Sequence, residues 1–212
     1  MSAEQRLAAY VTDLFAAEDR VLKTIRERQE HHGLPAINIS ADEGKLLQVL
    51  LRAVGARRVL EIGALAGYSG VWLARALPEN GVLTTIELDP RHAALARQAF
   101  DEAGVGARTR VLEGRAQDVL GTLEPGFDAV FVDADKAPLA QYFEQAVRLV
   151  RTGGLVLLDN AFRHGSVVDP NDRTPDTEGI RTFNRLAARD ARLIATIVPI
   201  RDGLLVAVKL GE

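Results

Sequence analysis

Cysteine is absent from this 212-residue chain, and tryptophan and methionine each occur once. Without a thiol there is no disulfide, no thiolate nucleophile and no cysteine-ligated zinc or iron–sulfur centre, a composition that suits a reducing cytoplasm. No apolar run approaches the roughly 20 residues that a membrane helix requires, and the opening MSAEQRLAAYVTDLF has no apolar signal core. An excess of one charge is also missing. The 26 Lys and Arg stand against 29 Asp and Glu, a net of −3 with a pI near 5.9, which leaves no global footprint for nucleic acid. Repeats, low-complexity stretches and an interdomain linker are lacking too. What remains is 47% hydrophobic and 26% charged, the balance of a folded domain with a substantial core. The expectation is one soluble, cytoplasmic domain over 1–212 that takes a small molecule, with no membrane partner and nucleic acid disfavoured.

Leu7, Val11, Leu14, Val21 and Ile25 recur at helical intervals between Ala3 and Glu30, which predicts a single N-terminal helix before a break at Gly33-Leu34-Pro35. Residues 1–33 are expected as a packed helix, a lid or a dimer contact, and 34–212 as the core. Ser40 with Glu43 three residues later reads as a capping box, opening a helix that stops near Gly55. Strand-like and helix-like segments then alternate. RRVLEIG, GVLTTIELD, ARTRVLEG, FDAVFVDAD and GGLVLLDN are near-continuous apolar runs, as in strands covered on both faces. With helices such as Arg91 to Ala103 and Pro138 to Val150 between them, they predict a parallel sheet in an α/β sandwich. ARLIATIVPI and GLLVAVKL flank Arg201-Asp202-Gly203, whose Asp-Gly pair predicts a closing antiparallel hairpin. His164 to Thr177, polar with two prolines, is expected as a loop beside the site.

A further absence lies at the first strand-to-helix junction, VLEIGALAGYSG. It carries Gly63, Gly67 and Gly70, but Leu65 occupies the second glycine position of the dinucleotide fingerprint, which argues against NAD and a dehydrogenase. Glu87 closes the next strand in TTIELDP, where a carboxylate is placed to accept from a ribose diol. Together these point to a nucleoside cofactor without a pyrophosphate. S-adenosylmethionine fits, its amino-acid carboxylate lying at the helix N-terminus near Tyr68 and Ser69. The plainer alternative is turn chemistry at the glycines and a solvated strand end at Glu87.

Two apolar strands end in oxygen-bearing side chains: Asp133 after one, Asp159 and Asn160 after the other. Ligands of open α/β sheets bind outside the carboxyl ends of strands, so neighbouring exits would converge these donors. Two carboxylates and an amide suit Mg²⁺, Ca²⁺ or a similar ion able to chelate two adjacent substrate oxygens. Lys136, three residues beyond Asp133, is placed to take a hydroxyl proton, because a nearby cation lowers an amine's pKa. Asp135 either caps the helix beginning near Pro138 or touches the cofactor. One strand-end Asp is ordinarily a turn or cap residue. Two such ends with Lys136 favour an ion.

In order and spacing, EIGALAGYS, IELDP, FVDADK, GGLVLLDN and PIRDGLLVAVK resemble the cation-dependent O-methyltransferases, the caffeoyl-CoA and catechol group, from about Asn38 onward. The resemblance implies a Rossmann-like class I methyltransferase fold: a seven-stranded, mostly parallel sheet of order 3-2-1-4-5-7-6 with helices on both faces. It implies S-adenosylmethionine as methyl donor, a hydroxylated aromatic acceptor and a homodimer. It implies Asp133, Asp159 and Asn160 as ligands of Mg²⁺, or of Ca²⁺ or Mn²⁺, with Lys136 beside Asp133 as the catalytic base. Ile39, Glu61, Gly63, Ala64, Ser69, Glu87, Ala116, Asp133 and Asp135 match cofactor contacts, Ile39 through its backbone. The sequence departs from the plant members after the fifth strand, reading Asp159-Asn160-Ala161-Phe162-Arg163-His164 and lacking their long insertions. Arg163 and His164 therefore either face the acceptor or are plain loop residues. The runner-up acceptor is a hydroxylated tRNA uridine, with Arg108, Arg110, Arg115 and Arg163 as a local patch. A non-catalytic nucleoside-binding module would leave Asp133, Asp159, Asn160 and Lys136 without a shared use.

Overall fold

Side chains that alternate across each strand must be buried on both faces of the sheet, and that demand organises the molecule. The computed structural model describes residues 3–211. Seven strands, β1 (Arg58–Ile62), β2 (Val82–Glu87), β3 (Thr109–Glu113), β4 (Phe127–Val132), β5 (Val150–Leu158), β6 (Leu193–Val198) and β7 (Leu204–Lys209), form one sheet of order 3-2-1-4-5-7-6. β1 to β5 pair in parallel, and β7 runs antiparallel between β5 and β6, as the apolar runs and the closing hairpin predicted. The helices are α1 (Ala3–Phe15), α2 (Arg20–His31), α3 (Ala41–Ala53), α4 (Tyr68–Ala76), α5 (Pro90–Glu102), α6 (Ala116–Leu120), α7 (Leu139–Leu149) and α8 (Pro175–Arg189). Val59, Ala129 and Phe131 pack into the core shared with α2, α3, α4 and α5. Their neighbours Leu60, Val130 and Val132 enter the second core, with α7 and α8.

The sheet grows outward in two directions from β1 and β4, so its crevice opens where these two strands exit. Pairing continues one residue past the strands: Gly63 N donates to Ile86 O at 3.0 Å, Asp133 N to Ile62 O at 2.9 Å and Asp159 N to Val132 O at 3.1 Å. Those three bonds line up the exits of β1, β4 and β5. The approach at Gly63 is close. With φ +99°, a β-carbon there would run into the carbonyl of Asp133.

Several expectations are corrected. The N-terminal segment is two helices, because Asp19 caps a new one: its side chain accepts from Leu22 N at 3.0 Å and pairs with Arg75 at 2.7 Å. α2 then docks through buried Leu22 and Ile25, while Leu7, Tyr10, Leu14 and Phe15 of α1 are exposed. The Ser40–Glu43 capping box does not form. Ser40 is the N-cap of α3 by backbone geometry, but its hydroxyl finds no partner among the described residues, and Glu43 is buried elsewhere. The polar stretch after His164 is not all loop, since Thr174 caps α8 and Pro175 takes its first position. In the final hairpin the left-handed residues are Arg201 (φ 47°) and Gly203 (φ 83°), and Asp202 is buried. Among the described residues no helix is long and apolar enough to cross a membrane.

Gly63→Ala forces the β4 exit away from β1 and places a side chain at positive φ. We expect a loss of about 1–3 kcal/mol, read from urea unfolding midpoints.

Candidate active site

A cavity of about 860 Å³ opens at the carboxyl ends of the central strands. Ile39, Gly63, Ala64, Ser69, Glu87, Ala116, Asp133, Asp135, Lys136, Asn160, Arg163 and His164 all reach its wall. Two predicted residues, Glu61 and Asp159, lie behind that wall in the protein interior.

On one side stands the glycine loop. Glu87 Oε2 accepts from Ala64 N at 3.2 Å and Leu65 N at 2.8 Å, while Oε1 accepts from Asp89 N at 3.0 Å. Glu87 is thus no solvated strand end. It ties the loop to β2 and keeps unused lone pairs on the cavity side. The amide bond at Leu65 supports a left-handed residue (φ 47°) where a dinucleotide fold would need glycine. Ser69 Oγ donates to Glu61 Oε1 at 2.6 Å. Burial pushes the Glu61 carboxyl up to about 7, against the opposing pull of the Ser69 bond. Glu61 therefore braces Ser69, at the cavity wall, from beneath. Opposite, Asn38 Nδ2 donates to Gln29 Oε1 at 2.5 Å, pinning the segment that carries Ile39 onto α2.

Asp135 had two readings, and the geometry removes the cap. Pro138 is the N-cap of α7, and Asp135 Oδ1 instead accepts from the Tyr142 hydroxyl at 2.7 Å beside the cavity. Burial and this neighbouring carboxylate push the Tyr142 phenol upward.

The other side is acidic. Lys136 Nζ lies 3.0 Å from Asp133 Oδ1 and is 8% exposed. Its backbone is held by Gly179 of α8, where a β-carbon would strike the Lys136 carbonyl. Asp159 Oδ1 accepts from Asn160 N at 2.6 Å, and Arg201 Nη1 stands 3.3 Å from Asp159 Oδ2. Burial, then the charge of Asp133, raises the Asp159 carboxyl. Sequence reasoning missed Arg201 and Glu43. Glu43 is fully buried, and burial, then the neighbouring Asp159 to which it is hydrogen-bonded, raise its carboxyl well above the ordinary carboxylate range. Its spacing from Ser40 offered a capping explanation, which hid it.

Arg163 and His164 both adopt left-handed backbone, at φ 48° and 52°. Arg163 pairs with Asp176 at 2.8 Å, and His164 N donates to Asp202 Oδ1 at 2.6 Å. Of the arginines grouped as a local patch, Arg108 is engaged with the carbonyls of Leu77 and Pro78.

Among the described residues no three His, Cys, Asp or Glu side chains are disposed to hold an ion by themselves. The donor set here is two carboxylates and an amide, as at Asp133, Asp159 and Asn160. Asp133 faces Lys136 and Asp159 faces Arg201, while the raised Glu43 carboxyl beside Asp159 adds a neutral acid. Two carboxylates and an amide are hard oxygen donors of the kind a Mg²⁺- or Ca²⁺-type ion takes.

The O-methyltransferase family model matches residues 12–210. The chain belongs to the O-methyltransferase family. A catechol O-methyltransferase of Niastella koreensis is 41% identical over 208 residues, 94% of each chain. Among solved structures, the O-methyltransferase TomG of Streptomyces achromogenes, involved in tomaymycin synthesis and in complex with SAM, superposes with a TM-score of 0.92 at 37% identity over 100% of both chains. An O-methyltransferase of Bacillus cereus in complex with SAH gives 0.90 at 36% identity, covering 96% of this chain and 97% of the other. The sheet order read above is therefore that of an O-methyltransferase fold.

In this O-methyltransferase Glu61 carries a pH signature. Its folded pKa, about 7, lies above the ordinary value of 4.5, so the folded state holds a proton that the unfolded chain releases. Stability must then fall as pH rises from about 4.5 through 7. Glu61→Gln removes that slope, and the difference between its urea midpoints at pH 5 and pH 8 should be smaller than that of the parent protein.

Proposed function

We propose that the protein is a divalent-cation-dependent, S-adenosylmethionine-dependent O-methyltransferase acting on one hydroxyl of a catechol-like aromatic molecule. The observation that carries this reading is the Lys136–Asp133 pair at the β4 exit, beside Asn160 of the β5 exit, in the same cavity as the Gly63–Ser69 loop. The SAM- and SAH-bound structural neighbours support the methyl donor, and the Niastella relative's name supports the acceptor class.

When bound, the ion supplies Lewis acidity and a chelating template, and the sulfonium supplies the methyl group. Asp133, Asp159 and Asn160 are the residues that would hold the ion. Gly63, Ala64, Ser69 and Glu87 would hold the donor, with Ala116 and Asp135 on the same wall. Lys136 Nζ, shielded from bulk water, would take the proton of the acceptor hydroxyl as the neutral amine and become the ammonium that pairs with Asp133. Methyl transfer joins a cationic sulfonium and an anionic oxygen into uncharged partners, so positioning and exclusion of water matter more than added charge. Lys136 and the acidic cluster thus prepare the oxygen, and the glycine loop holds the carbon it attacks.

Methyl transfer to catechol should be lost in EDTA and restored by Mg²⁺, whereas tRNA should accept no methyl group in either condition. Full catechol activity in metal-free protein excludes the cation role, and cation-independent transfer to tRNA favours the nucleic-acid acceptor. Lys136→Met should lower turnover on the order of 10²–10⁴-fold while SAH affinity by calorimetry stays near the parent value. Unchanged turnover removes Lys136 from its role as base.

A further inference from the structure

α2 lies outside the stretch whose motifs suggested a site, yet it is tied to both walls of the donor side of the cavity. One wall is the Gly63–Ser69 loop. The other is a strap, residues 36–39, that belongs to no helix or strand. Tyr68, buried at the start of α4, ties α2 to the first wall. Arg26 Nη2 donates to its hydroxyl at 3.0 Å, and that hydroxyl donates at 2.6 Å to Oε1 of Glu18, just before α2. Arg28 pairs with Glu102 of α5 at 2.7 Å. With Asp19 bound to Arg75, α2 is fixed to the two helices that follow β1 and β2, the strands on which the donor loop and Glu87 stand.

The strap is tied to the same helix through a side chain. Gln29, three residues after Arg26 and so on the same helix face, accepts from Asn38 Nδ2 through Oε1 at 2.5 Å, and its carbonyl accepts from Leu34 N at 2.9 Å. The Gln29 side chain is buried, at 2% exposure, and its Nε2 finds no acceptor among the described residues. Packing alone does not call for such a residue, because methionine has a similar shape and buries no half-used amide. What Gln29 holds accounts for its polar end. Asn38 stands on the cavity wall between exposed Ile37 and buried Ile39, so the bond fixes how the strap faces the glycine loop.

We propose that Gln29 is a positioning residue for the methyl donor: through Asn38 it sets the strap against the glycine loop, and with it the width of the donor site. This inference rests on the donor reading above. A site wall left loose costs affinity even when the fold is intact, so the bond should show in donor binding rather than in stability. Gln29→Met is measured in the full chain by SAH calorimetry and by urea unfolding. SAH should bind ~3–10-fold more weakly, the worth of one such bond, while the unfolding midpoint stays at or above the parent value. In an Asn38→Ala background the same substitution should weaken SAH no further, because the bond is already gone. If Gln29→Met does not fold, Gln29→Asn, which withdraws the oxygen by one methylene, is held to the same affinity expectation. SAH affinity that stays at the parent value, or an equal loss with and without Asn38, overturns the role of Gln29 and leaves the donor site standing. A midpoint that falls together with affinity assigns Gln29 to the fold instead. Parent protein that binds no SAH removes the donor site itself, and the inference with it.

Discussion

Three backbone hydrogen bonds just past the ends of the strands decide what this molecule can do. Gly63 to Ile86, Asp133 to Ile62 and Asp159 to Val132 extend the sheet by one residue into its crevice. Each bond is worth little alone, about 1 kcal/mol net. Their effect is positional: they hold the exits of β1, β4 and β5 in register, which side-chain contacts between loops would not do. The glycine loop leaves from the first exit, the Asp133–Lys136 pair from the second, and Asp159 with Asn160 from the third. The side chain omitted at Gly63 makes room for this, because the backbone of the neighbouring exit occupies the space a β-carbon would need.

The cavity is asymmetric in charge, and each side uses its carboxylates differently. On the cofactor side, Glu87 is satisfied by three backbone amides, and Glu61 is buried behind Ser69. Those acids are structural braces with lone pairs to spare. On the other side, Asp133 pairs with Lys136 and Asp159 with Arg201, and burial beside Asp159 holds the Glu43 carboxyl above its ordinary range. Low local dielectric strengthens each of those pairings.

Much of the fold was legible in the sequence because two-sided burial leaves an unambiguous pattern. The continuous apolar runs and the Asp-Gly before GLLVAVKL located all seven strands to within a few residues. The order of β2, β3 and β4 about β1 was not derivable from periodicity and came from family resemblance. Where reading failed, one local explanation had satisfied a residue that was needed elsewhere. Glu43 fitted a capping box, so its burial beside Asp159 went unseen. Asp202 fitted a hairpin turn, whereas its carboxylate fixes His164 N and its carbonyl accepts from Phe162 N. Asp19 was hidden by apolar spacing that continued across the break it creates. In each case an acidic side chain had two physically sound uses, and only tertiary packing distinguished them.

The region beyond Asn160 shows why its polar composition did not make it a free loop. Arg181, on α8, donates to the carbonyls of Ser166, Val167, Asp169 and Asp172, gathering the chain between the β5 exit and α8 around one guanidinium. Asp202 holds the other end, at His164. Two residues before Arg181 on the same helix, Gly179 sets the position of the Lys136 backbone. One helix therefore fixes both the proposed base and the frame that carries Arg163 and His164 at the cavity mouth. Lengthening the segment would break the carbonyl contacts to Arg181 and loosen the helix that positions Lys136.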